Sequence, residues 1–372
     1  MSQIFASLVE LARARAHAQP AQSGYTFLRD GERDEATLSY AALDRAARAI
    51  AAQLQQHAAP GDRALLIFPP GLEFIAGLFG CLYAGVVAVP AYPPNPARLG
   101  RTLPRLRAIV RDCQPALALT TQPSMELAGA LAAQDPLFQP IRWIAADGLP
   151  GAQADEWRER SIEPDDIALI QYTSGSTADP KGVVLTHANL LHNSALIHQA
   201  FGHTPASQGV IWLPPYHDMG LIGGILQPLY GGFPVALMAP AAFLQRPARW
   251  LQAITRFGAT TSGGPNFAYD LCVRKIADDE RAAFDLRSWQ VAFSGAEPIQ
   301  AATLDRFAAA FAGSGFRRSA FFPCYGLAEA TLLVSGGPPT AELVVAELDA
   351  AALEQHRVAD GGRQARRLVG CG

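Results

Sequence analysis

The chain has 372 residues, of which 49% are hydrophobic and 17% charged, and its formal net charge is −3. This length and apolar content allow at least one large core, which excludes a short binding peptide and a disordered scaffold. The small negative charge excludes a general electrostatic attraction to nucleic acid. The five cysteines form no CxxC pair, a pattern that argues against a disulfide framework and a zinc site and favours a reducing cytoplasm.

The N-terminal segment at 1–19 is amphipathic and bears arginines, but it lacks the long apolar core of a signal peptide. A soluble, cytoplasmic protein is therefore expected. The apolar stretch at 71–90 approaches the length of a membrane span. However, two prolines precede it, Glu73 lies within it and Gly85 divides it. We interpret this stretch as a buried helix followed by a buried strand rather than as a membrane span.

Strand-like runs alternate with helical patterns along most of the chain. Strands are predicted at 65–68, 86–89, 116–120, 141–144, 167–172, 210–213, 235–238 and 291–293. Helices are predicted at 40–56, 104–112 with a proline at its first position, 125–133 and 301–311. This alternation predicts an α/β fold with largely parallel sheets flanked by helices. Ligands of such folds bind at the carboxyl ends of the strands.

The segment YTSGSTADPKG at 172–182 directly follows a predicted strand. Its hydroxyl groups, its glycines and the charge of Lys181 suit a phosphate group. Thr186 is a predicted N-cap of the next helix, and a strand, a loop and a helix N-terminus in that order would form an anion site. It is not the usual nucleotide-triphosphatase loop, because Lys181 precedes Gly182 rather than Ser or Thr. A solvated turn is the alternative.

Two further motifs join predicted strands to predicted helices. In WLPPYHDMGLIGG at 212–224, His217 lies between an aromatic residue and an acid, just before an apolar helix that begins near Met219. It is either a pocket residue or a structural histidine. In TTSGGPNFAYDLC at 260–272, a glycine-rich turn precedes Phe267 and Tyr269, which form either a pocket wall or core. FSGAEP and FPCYGLAEAT each add glycine and one glutamate after a strand-like run.

The segment YTSGSTADPKGVVLTH resembles the phosphate-binding signature of adenylate-forming enzymes, which include acyl-CoA synthetases, luciferases and peptide-synthetase adenylation domains. The resemblance covers essentially the whole chain and implies the layered α/β fold of their large N-terminal domain. Ala328 in YGLAEAT, with WLPPYHDMGLIGG and SGGPNFAYDLC, looks most like the fatty acyl-AMP ligases. A long-chain acyl-CoA synthetase and a non-catalytic acyl-adenylate-binding fragment are the alternatives.

The resemblance implies an ATP- and Mg²⁺-dependent conversion of a fatty acid to acyl-AMP with release of pyrophosphate. The acyl group would pass to the phosphopantetheine arm of an acyl carrier protein, in lipid, polyketide or lipopeptide biosynthesis. No nucleic acid partner and no membrane span are expected.

The same resemblance implies roles for individual residues. Catalytic roles fall to Lys181, His217 and Glu329, and Glu329 would bind Mg²⁺. Nucleotide binding would involve Thr173, Ser174, Gly175, Ser176, Thr177, Lys181, Gly295, Ala296, Glu297, Pro298, Tyr325, Gly326, Leu327 and Ala328. Acyl binding would involve His217, Asp218, Met219, Gly220, Gly263, Gly264 and Phe267. The glycines would leave room for an alkyl chain, and Tyr325 would stack on adenine. The alternative for Glu329 is a purely structural role as an acidic residue at a helix N-terminus, where the helix dipole favours negative charge.

Two departures from the resemblance affect these expectations. Many relatives carry threonine at the position of Ala328, so one hydroxyl contact to the nucleotide is absent. Residues 1–372 resemble an incomplete large N-terminal domain, without the ribose-binding aspartate and the small C-terminal domain with its second catalytic lysine. Residues 332–372, with a predicted strand at 343–346 and a short helix at 350–356, would be an insertion of this ligase branch and the start of a third subdomain.

Overall fold

The computed structural model describes residues 5–94, 99–173, 180–338, 342–361 and 365–372. The chain divides into two compact units. Unit 1 comprises Met1–Phe27, Glu35–Ala195 and Pro214–Pro234. Unit 2 comprises Leu28–Asp34, Leu196–Leu213 and Val235–Gly372. The units are therefore not consecutive along the sequence, and each is described by itself.

The strands are β1 Ser23–Leu28, β2 Glu35–Ser39, β3 Arg63–Leu66, β4 Val87–Pro90, β5 Leu117–Thr120, β6 Arg142–Ala145, β7 Ile167–Thr173, β8 Lys181–Thr186, β9 Gly209–Ile211, β10 Val235–Met238, β11 Thr261–Gly264, β12 Val291–Ser294, β13 Phe321–Gly326, β14 Leu333–Gly336, β15 Val345–Asp349 and β16 Ala365–Val369. The α-helices are α1 Leu8–Ala18, α2 Tyr40–Gln55, α3 Leu72–Ala84, α4 Leu99–Cys113, α5 Met125–Gln134, α6 His187–Ala200, α7 Gln227–Gly231, α8 Pro240–Gln245, α9 Ala248–Phe257, α10 Asn266–Lys275, α11 Asp278–Arg281, α12 Ala301–Ala310 and α13 Ala350–Glu354. A π-helix spans Met219–Leu226.

The sheet of unit 1 has the strand order β6-β5-β3-β4-β7-β8. Its strands are parallel except for β8, which pairs antiparallel with β7. Strands β4 and β5 are buried at every residue, which explains why they are continuous apolar runs without alternation. One hydrophobic cluster packs α4 against this sheet through Leu106, Ile109 and Val110, with Tyr172 of β7 on the same face.

The apolar stretch at 71–90 forms α3 and β4, as predicted. Helix α3 is buried from Phe74 onward apart from one partly exposed residue, and it ends at Gly85, whose φ of 71° is in the left-handed region that glycine tolerates. Strand β4 then enters the middle of the sheet. In the part of the chain that the structure describes, no helix is both long and apolar enough to cross a membrane.

The eight strands predicted between residues 65 and 293 all overlap observed strands, with ends displaced by at most two residues. Three of the four predicted helices agree equally well, but the start of α4 was wrong. Helix α4 begins at Leu99, so Pro104 lies inside it rather than at its first position. A proline there removes one backbone hydrogen bond. The helix continues because its apolar face, which includes Leu103 and Leu106, is buried on both sides of the proline.

Unit 2 contains the strand order β14-β13-β12-β11-β9-β10. Strands β9 to β13 are parallel, and β14 returns antiparallel to β13. Buried aromatic rings fill one side, including Trp250 and Trp289, whose ring centroids are 5.2 Å apart. A separate pair, β15 and β16, is antiparallel, and α13 follows β15 with Asp349 as its N-cap. The strand predicted at 343–346 is observed at Val345–Asp349, and the helix predicted at 350–356 is observed at Ala350–Glu354.

Candidate functional site

The phosphate-loop motif lies on an antiparallel hairpin of unit 1. Strand β7 continues to Thr173, β8 begins at Lys181, and these two residues are cross-strand partners. The predicted loop residues Ser174, Gly175, Ser176 and Thr177 lie outside the described residues. Lys181 is exposed at the base of the hairpin. Gly182 is required there, because a Cβ atom would lie 2.8 Å from Ile170 Cγ2 and 3.1 Å from Tyr172 Cζ.

The predicted order of strand, loop and helix N-terminus was wrong. Strand β8 separates the loop from α6, so the helix begins six residues after Lys181, roughly 20 Å along an extended strand. Thr186 is nevertheless an N-cap, as predicted. Its Oγ1 accepts a hydrogen bond from Asn189 N at 3.2 Å, and Asn189 Oδ1 accepts one from Thr186 N at 3.1 Å. The helix N-terminus therefore does not contribute to an anion site at the loop.

The end of β7 is joined to the segment that carries His217. Gln171 Nε2 donates a hydrogen bond to Tyr216 O at 2.9 Å. The Tyr216 ring packs on Tyr92, with ring centroids 3.7 Å apart. The structure thus brings Thr173 and His217 into the same region of unit 1, because Thr173 lies two residues after Gln171 on β7.

His217 is held by its neighbour in sequence. Its Nδ1 lies 2.6 Å from Asp218 Oδ1, and its side chain is 51% exposed. The hydrogen bond to Asp218 raises the pKa of His217, although partial burial and the charge of Arg105 act in the opposite direction. Asp218 Oδ1 also accepts a hydrogen bond from Met219 N at 2.7 Å, where the π-helix begins. The apolar helix predicted near Met219 is confirmed, and its π geometry is one that recurs at functional sites.

The motifs of unit 2 meet at the carboxyl ends of three adjacent parallel strands. Gly264 of β11 pairs with Ser294 of β12, which in turn pairs with Pro323 of β13. The turn after β12 is attached to the start of α10, where Phe267 N donates to Glu297 Oε1 at 2.6 Å. Parallel strands therefore align the three motifs at one edge of the sheet.

The backbone is tightly constrained at this edge. A Cβ atom on Gly295 would lie 3.0 Å from Cys324 O, and one on Gly326 would lie 2.1 Å from Leu332 O. Ala296 has a φ of 67°, in the left-handed region that residues other than glycine rarely adopt. Strain of this kind is common where a turn serves a ligand. Glu297 and Pro298, the other two residues of the predicted adenine-flanking turn, are exposed.

Two side chains of the last motif are available to a ligand. Tyr325 is 54% exposed, and Glu329 is also exposed. Leu327 is partly buried, whereas Ala328 is only 3% exposed and faces the interior of the unit. The flat ring of Tyr325 suits a nucleobase, and the carboxylate of Glu329 suits a hard cation.

Close packing within the protein is a further reason for the glycines of β11, beside the predicted room for an alkyl chain. A Cβ atom on Gly263 would lie 2.1 Å from Phe293 O, and one on Gly264 would lie 2.6 Å from Trp212 Cζ2. A side chain at either position would therefore collide with the protein's own atoms. Phe267 is 41% exposed and is not core, whereas Tyr269 is fully buried and donates to Phe293 O at 2.8 Å. An acyl-binding role for Gly263, Gly264 and Phe267 stays a prediction.

Sequence reasoning missed three residues that organise the region around His217. These are Tyr92, Gln171 and Arg105, whose Nη2 donates to Tyr172 O at 3.3 Å. Gln171 had a signal, since it is a polar residue within an otherwise apolar buried strand and is only 2% exposed. Tyr92 and Arg105 had none, because their contacts join positions far apart in the sequence.

Comparisons with known proteins agree with these motifs. The sequence pattern of the family described as "AMP-binding enzyme" matches residues 13–352. The chain is 48% identical over 374 residues to the medium-chain-fatty-acid–[acyl-carrier-protein] ligase JamA of Moorena producens, covering 99% of this chain and 63% of JamA. It is 39% identical over 331 residues to the long-chain-fatty-acid–AMP ligase FadD32 of Mycolicibacterium smegmatis, covering 87% of this chain and 52% of FadD32.

Solved structures give the same picture. The fatty acyl-adenylate ligase from L. pneumophila, in complex with acyl adenylate and pyrophosphate, is similar with a TM-score of 0.91 and 44% identity, covering 99% of this chain and 64% of that one. A keto acid-selecting adenylation domain, at 22% identity and a TM-score of 0.86, shares the fold. The chain spans 52 to 64% of the length of the two curated ligases and the L. pneumophila structure. Its motifs, its mostly parallel α/β fold and its matched range together show that the chain belongs to the AMP-binding enzyme family.

Proposed function

We propose that this chain forms the substrate-binding part of a fatty acyl-AMP ligase. Such an enzyme activates a fatty acid with ATP and transfers the acyl group to a carrier protein. One observation carries the proposal: the strained turn at Ala296 follows β12, and the exposed side chains of Tyr325 and Glu329 lie at the carboxyl end of the adjacent parallel strand β13. The fatty acid is proposed as the substrate because JamA and FadD32 are named as fatty acid ligases.

The proposed reaction is a displacement at the α-phosphorus of ATP. A carboxylate oxygen of the fatty acid forms a bond to that phosphorus, the bond to the β-phosphate oxygen breaks, and pyrophosphate leaves. Lys181 and Thr173, at the base of the hairpin, would hold phosphate oxygens, and His217 would border the carboxylate. The adenine ring would lie between the turn at 295–298 and the segment at 325–328, where Tyr325 would stack on it. Catalysis would come mainly from positioning and from neutralised charge.

The residues present fit a requirement for Mg²⁺. Within the described ranges, no three His, Cys, Asp or Glu side chains are grouped as a complete metal site. Mg²⁺ does not need such a group, because it commonly uses one or two carboxylates together with water and phosphate oxygens. Glu329 offers one exposed carboxylate for this purpose. When bound, the ion would offset the negative charge of the phosphates.

The proposed acceptor is the phosphopantetheine arm of an acyl carrier protein. This choice is supported by JamA and by TtuA of Teredinibacter turnerae, which is 36% identical and is also named a medium-chain-fatty-acid–[acyl-carrier-protein] ligase. Coenzyme A is the second candidate acceptor. It is favoured by FadD21 of Mycobacterium tuberculosis, which is 38% identical and is named a putative fatty-acid–CoA ligase.

The sequence contains two lysines, and this gives a matched pair of variants. We expect Lys181→Ala to reduce fatty acid-dependent pyrophosphate release by about 100-fold or more, since one charge on the phosphates is removed. Glu329→Ala should act similarly. Lys275→Ala, at the exposed end of α10, should leave the rate unchanged. The measurement is pyrophosphate release by each variant over a series of fatty acids.

Three outcomes separate the candidate functions. Undiminished release by Lys181→Ala would contradict the proposed site. Thioester formation on coenzyme A, with none on a carrier protein, would favour the second acceptor. Calorimetric binding of a non-hydrolysable acyl-AMP analogue without any turnover would favour a binding module over an enzyme.

A further inference from the structure

Helix α4 brings a positive charge to the region around His217. Of its four arginines, Arg107 is paired with Asp135, while Arg101 and Arg111 are exposed. Arg105 is different, because its guanidinium is partly buried and extends to the end of β7. There its Nη2 donates to Tyr172 O at 3.3 Å, one residue before Thr173.

The charge of Arg105 acts on two groups of the candidate site. It opposes the rise in the pKa of His217, and it lowers the pKa of Tyr92 against the larger effect of burial. The geometry agrees with these effects. The hydrogen bond to Tyr172 O holds Arg105 one residue along β7 from Gln171, whose Nε2 donates to Tyr216 O, next to His217 in the chain. The ring of Tyr216 in turn packs on Tyr92.

The acidic groups nearby are already engaged. Asp218 Oδ1 accepts from Met219 N and lies against His217 Nδ1. Asp112, on α4, accepts a hydrogen bond from the Tyr172 hydroxyl. The guanidinium of Arg105 has five N–H donors, and one of them serves the carbonyl of Tyr172. Within the described residues both carboxylates are bonded to groups other than Arg105, so the remaining N–H donors of its guanidinium suit a ligand with acceptor oxygens such as a carboxylate.

We propose that Arg105 is a substrate-binding residue that, together with His217, holds the carboxylate of the fatty acid before it is adenylated. This inference rests on the proposed function and assigns a binding role to a residue outside every motif of the sequence. A guanidinium matches a carboxylate through two parallel hydrogen bonds, a geometry that lysine cannot reproduce. The aromatic pair of Tyr92 and Tyr216 would pack against the methylene groups of the fatty acid nearest its carboxylate.

The carboxylate is favoured over the leaving pyrophosphate because of the contacts around Arg105. Its Nη2 bonds the carbonyl of Tyr172, and the neighbouring Gln171 bonds Tyr216 O in the segment that carries His217. The opposing effect of its charge on the pKa of His217 agrees with this placement. The carboxylate loses its charge when acyl-AMP forms, so Arg105 stabilises the bound acid more than the product. Its loss should therefore raise the KM for the fatty acid more than it lowers kcat.

The kinetic test uses Arg105→Met, Arg105→Lys and a control, Arg111→Met, on the exposed face of the same helix. With the full-length protein, we expect Arg105→Met to raise the KM for decanoate by about 10- to 100-fold, with the KM for ATP within about twofold of wild type. The KM of Arg105→Lys for decanoate should lie between those of wild type and Arg105→Met. Arg111→Met should match wild type. An unchanged decanoate KM in Arg105→Met, or a change confined to ATP and pyrophosphate, would overturn the proposal.

A binding test works without turnover and separates this proposal from the proposed function. Calorimetry compares decanoate with decanamide, which has the same chain but no charge. Wild type should prefer decanoate, and Arg105→Met should lose that preference while keeping its affinity for decanamide, which also shows that the variant is folded. If wild type turns over decanoate but Arg105→Met keeps the preference, only this proposal fails. If wild type shows neither turnover nor binding, both fail.

Discussion

In unit 2 the candidate residues follow three parallel strands whose carboxyl ends lie side by side, whereas in unit 1 they lie on an antiparallel hairpin and at the start of a π-helix. Different interactions therefore fix the candidate residues within each unit. In unit 2, backbone pairing and glycines at close approach set the positions. In unit 1, the hydrogen bond from Gln171 to Tyr216 O and the contact of Tyr216 with Tyr92 connect the pieces.

This difference has a consequence for tolerance to substitution. A position set by backbone packing cannot yield, so an added methyl group there should destabilise the whole unit. A position set by a side-chain hydrogen bond can lose that bond at a cost of about 1 kcal/mol, because water and neighbouring groups compensate in part. Substitutions at the site in unit 2 should therefore act mainly by unfolding the unit. Substitutions at the site in unit 1 should act mainly by weakening substrate binding.

The largest effect is expected for Gly263→Ala in unit 2. The new Cβ would lie 2.1 Å from Phe293 O, and a backbone atom in a paired strand cannot move away cheaply. We expect a loss of about 3 kcal/mol in the free energy of unfolding. Denaturant titration followed by tryptophan fluorescence measures it, since Trp250 and Trp289 are buried in the same unit.

The matched control is Gly129→Ala on α5 of unit 1. A Cβ there has open space within 4 Å, and alanine favours a helix over glycine by up to about 1 kcal/mol. This variant should be as stable as wild type or slightly more so. A loss below about 1 kcal/mol in Gly263→Ala would show that β11 can yield, and the contrast between the units would disappear.

A smaller effect is expected for Gln171→Leu in unit 1. Leucine fills the buried position but removes the donor to Tyr216 O. The amide oxygen of Gln171 has no hydrogen-bond partner within the described ranges, so its removal costs nothing. We expect a stability loss of about 1 kcal/mol and a rise of about fivefold in the KM for the fatty acid.

Gln208→Leu provides the control in unit 2, where the amide donates to Gly209 O at 3.2 Å at the start of β9. Its stability should fall by a similar amount, about 1 kcal/mol, without any change in the KM for the fatty acid. Equal values of this KM in the two variants would mean that Gln171 does not position the segment around His217.

The sequence predicted the unit 2 site better than the unit 1 site for a physical reason. The carboxyl-end rule applies to parallel strands, and β11, β12 and β13 obey it. In unit 1, strand β8 lies between the loop and helix α6, so the predicted order of strand, loop and helix was wrong. Val183, Val184 and Thr186 are β-formers, but the run is short and leads directly into a capped helix, so its sequence alone did not indicate a separate strand. Whether a strand returns antiparallel depends on its partner, which local sequence does not specify.

Individual side chains show a second limit. The exposure of Phe267 and the burial of Tyr269 could not be separated by sequence, because both are aromatic residues at the start of one helix. Arg105 had no distinguishing signal among the four arginines of α4. Its position is set by the packing of α4 on β7 through the cluster that includes Leu106 and Tyr172. Contacts of this kind exist only after the helix has been placed on the sheet.

The smallest effect concerns the pH dependence of unit 1 and requires Asp218→Asn. The hydrogen bond to Asp218 is the main cause of the raised pKa of His217, and burial and Arg105 oppose it. The pKa of His217 should therefore fall in Asp218→Asn and rise further in Arg105→Met. Tyr92 and Tyr216, which pack on each other, stay neutral throughout because burial raises the pKa of both hydroxyls. Titration of the His217 ring signal by NMR measures both shifts.

The sign of the linked effect follows from the raised pKa. Protonated His217 attracts a carboxylate, so the proposed fatty acid affinity is fully present below the raised pKa of His217 in the free folded protein. A bound carboxylate raises that pKa further, and the affinity is lost as the pH rises from the first of these pKa values through the second. In Asp218→Asn this loss should begin at lower pH, whereas in unit 2 the Tyr325 stack on adenine should show no such dependence. A fatty acid affinity that has the same pH profile in both proteins would remove His217 from the carboxylate site and leave Arg105 as its sole cation.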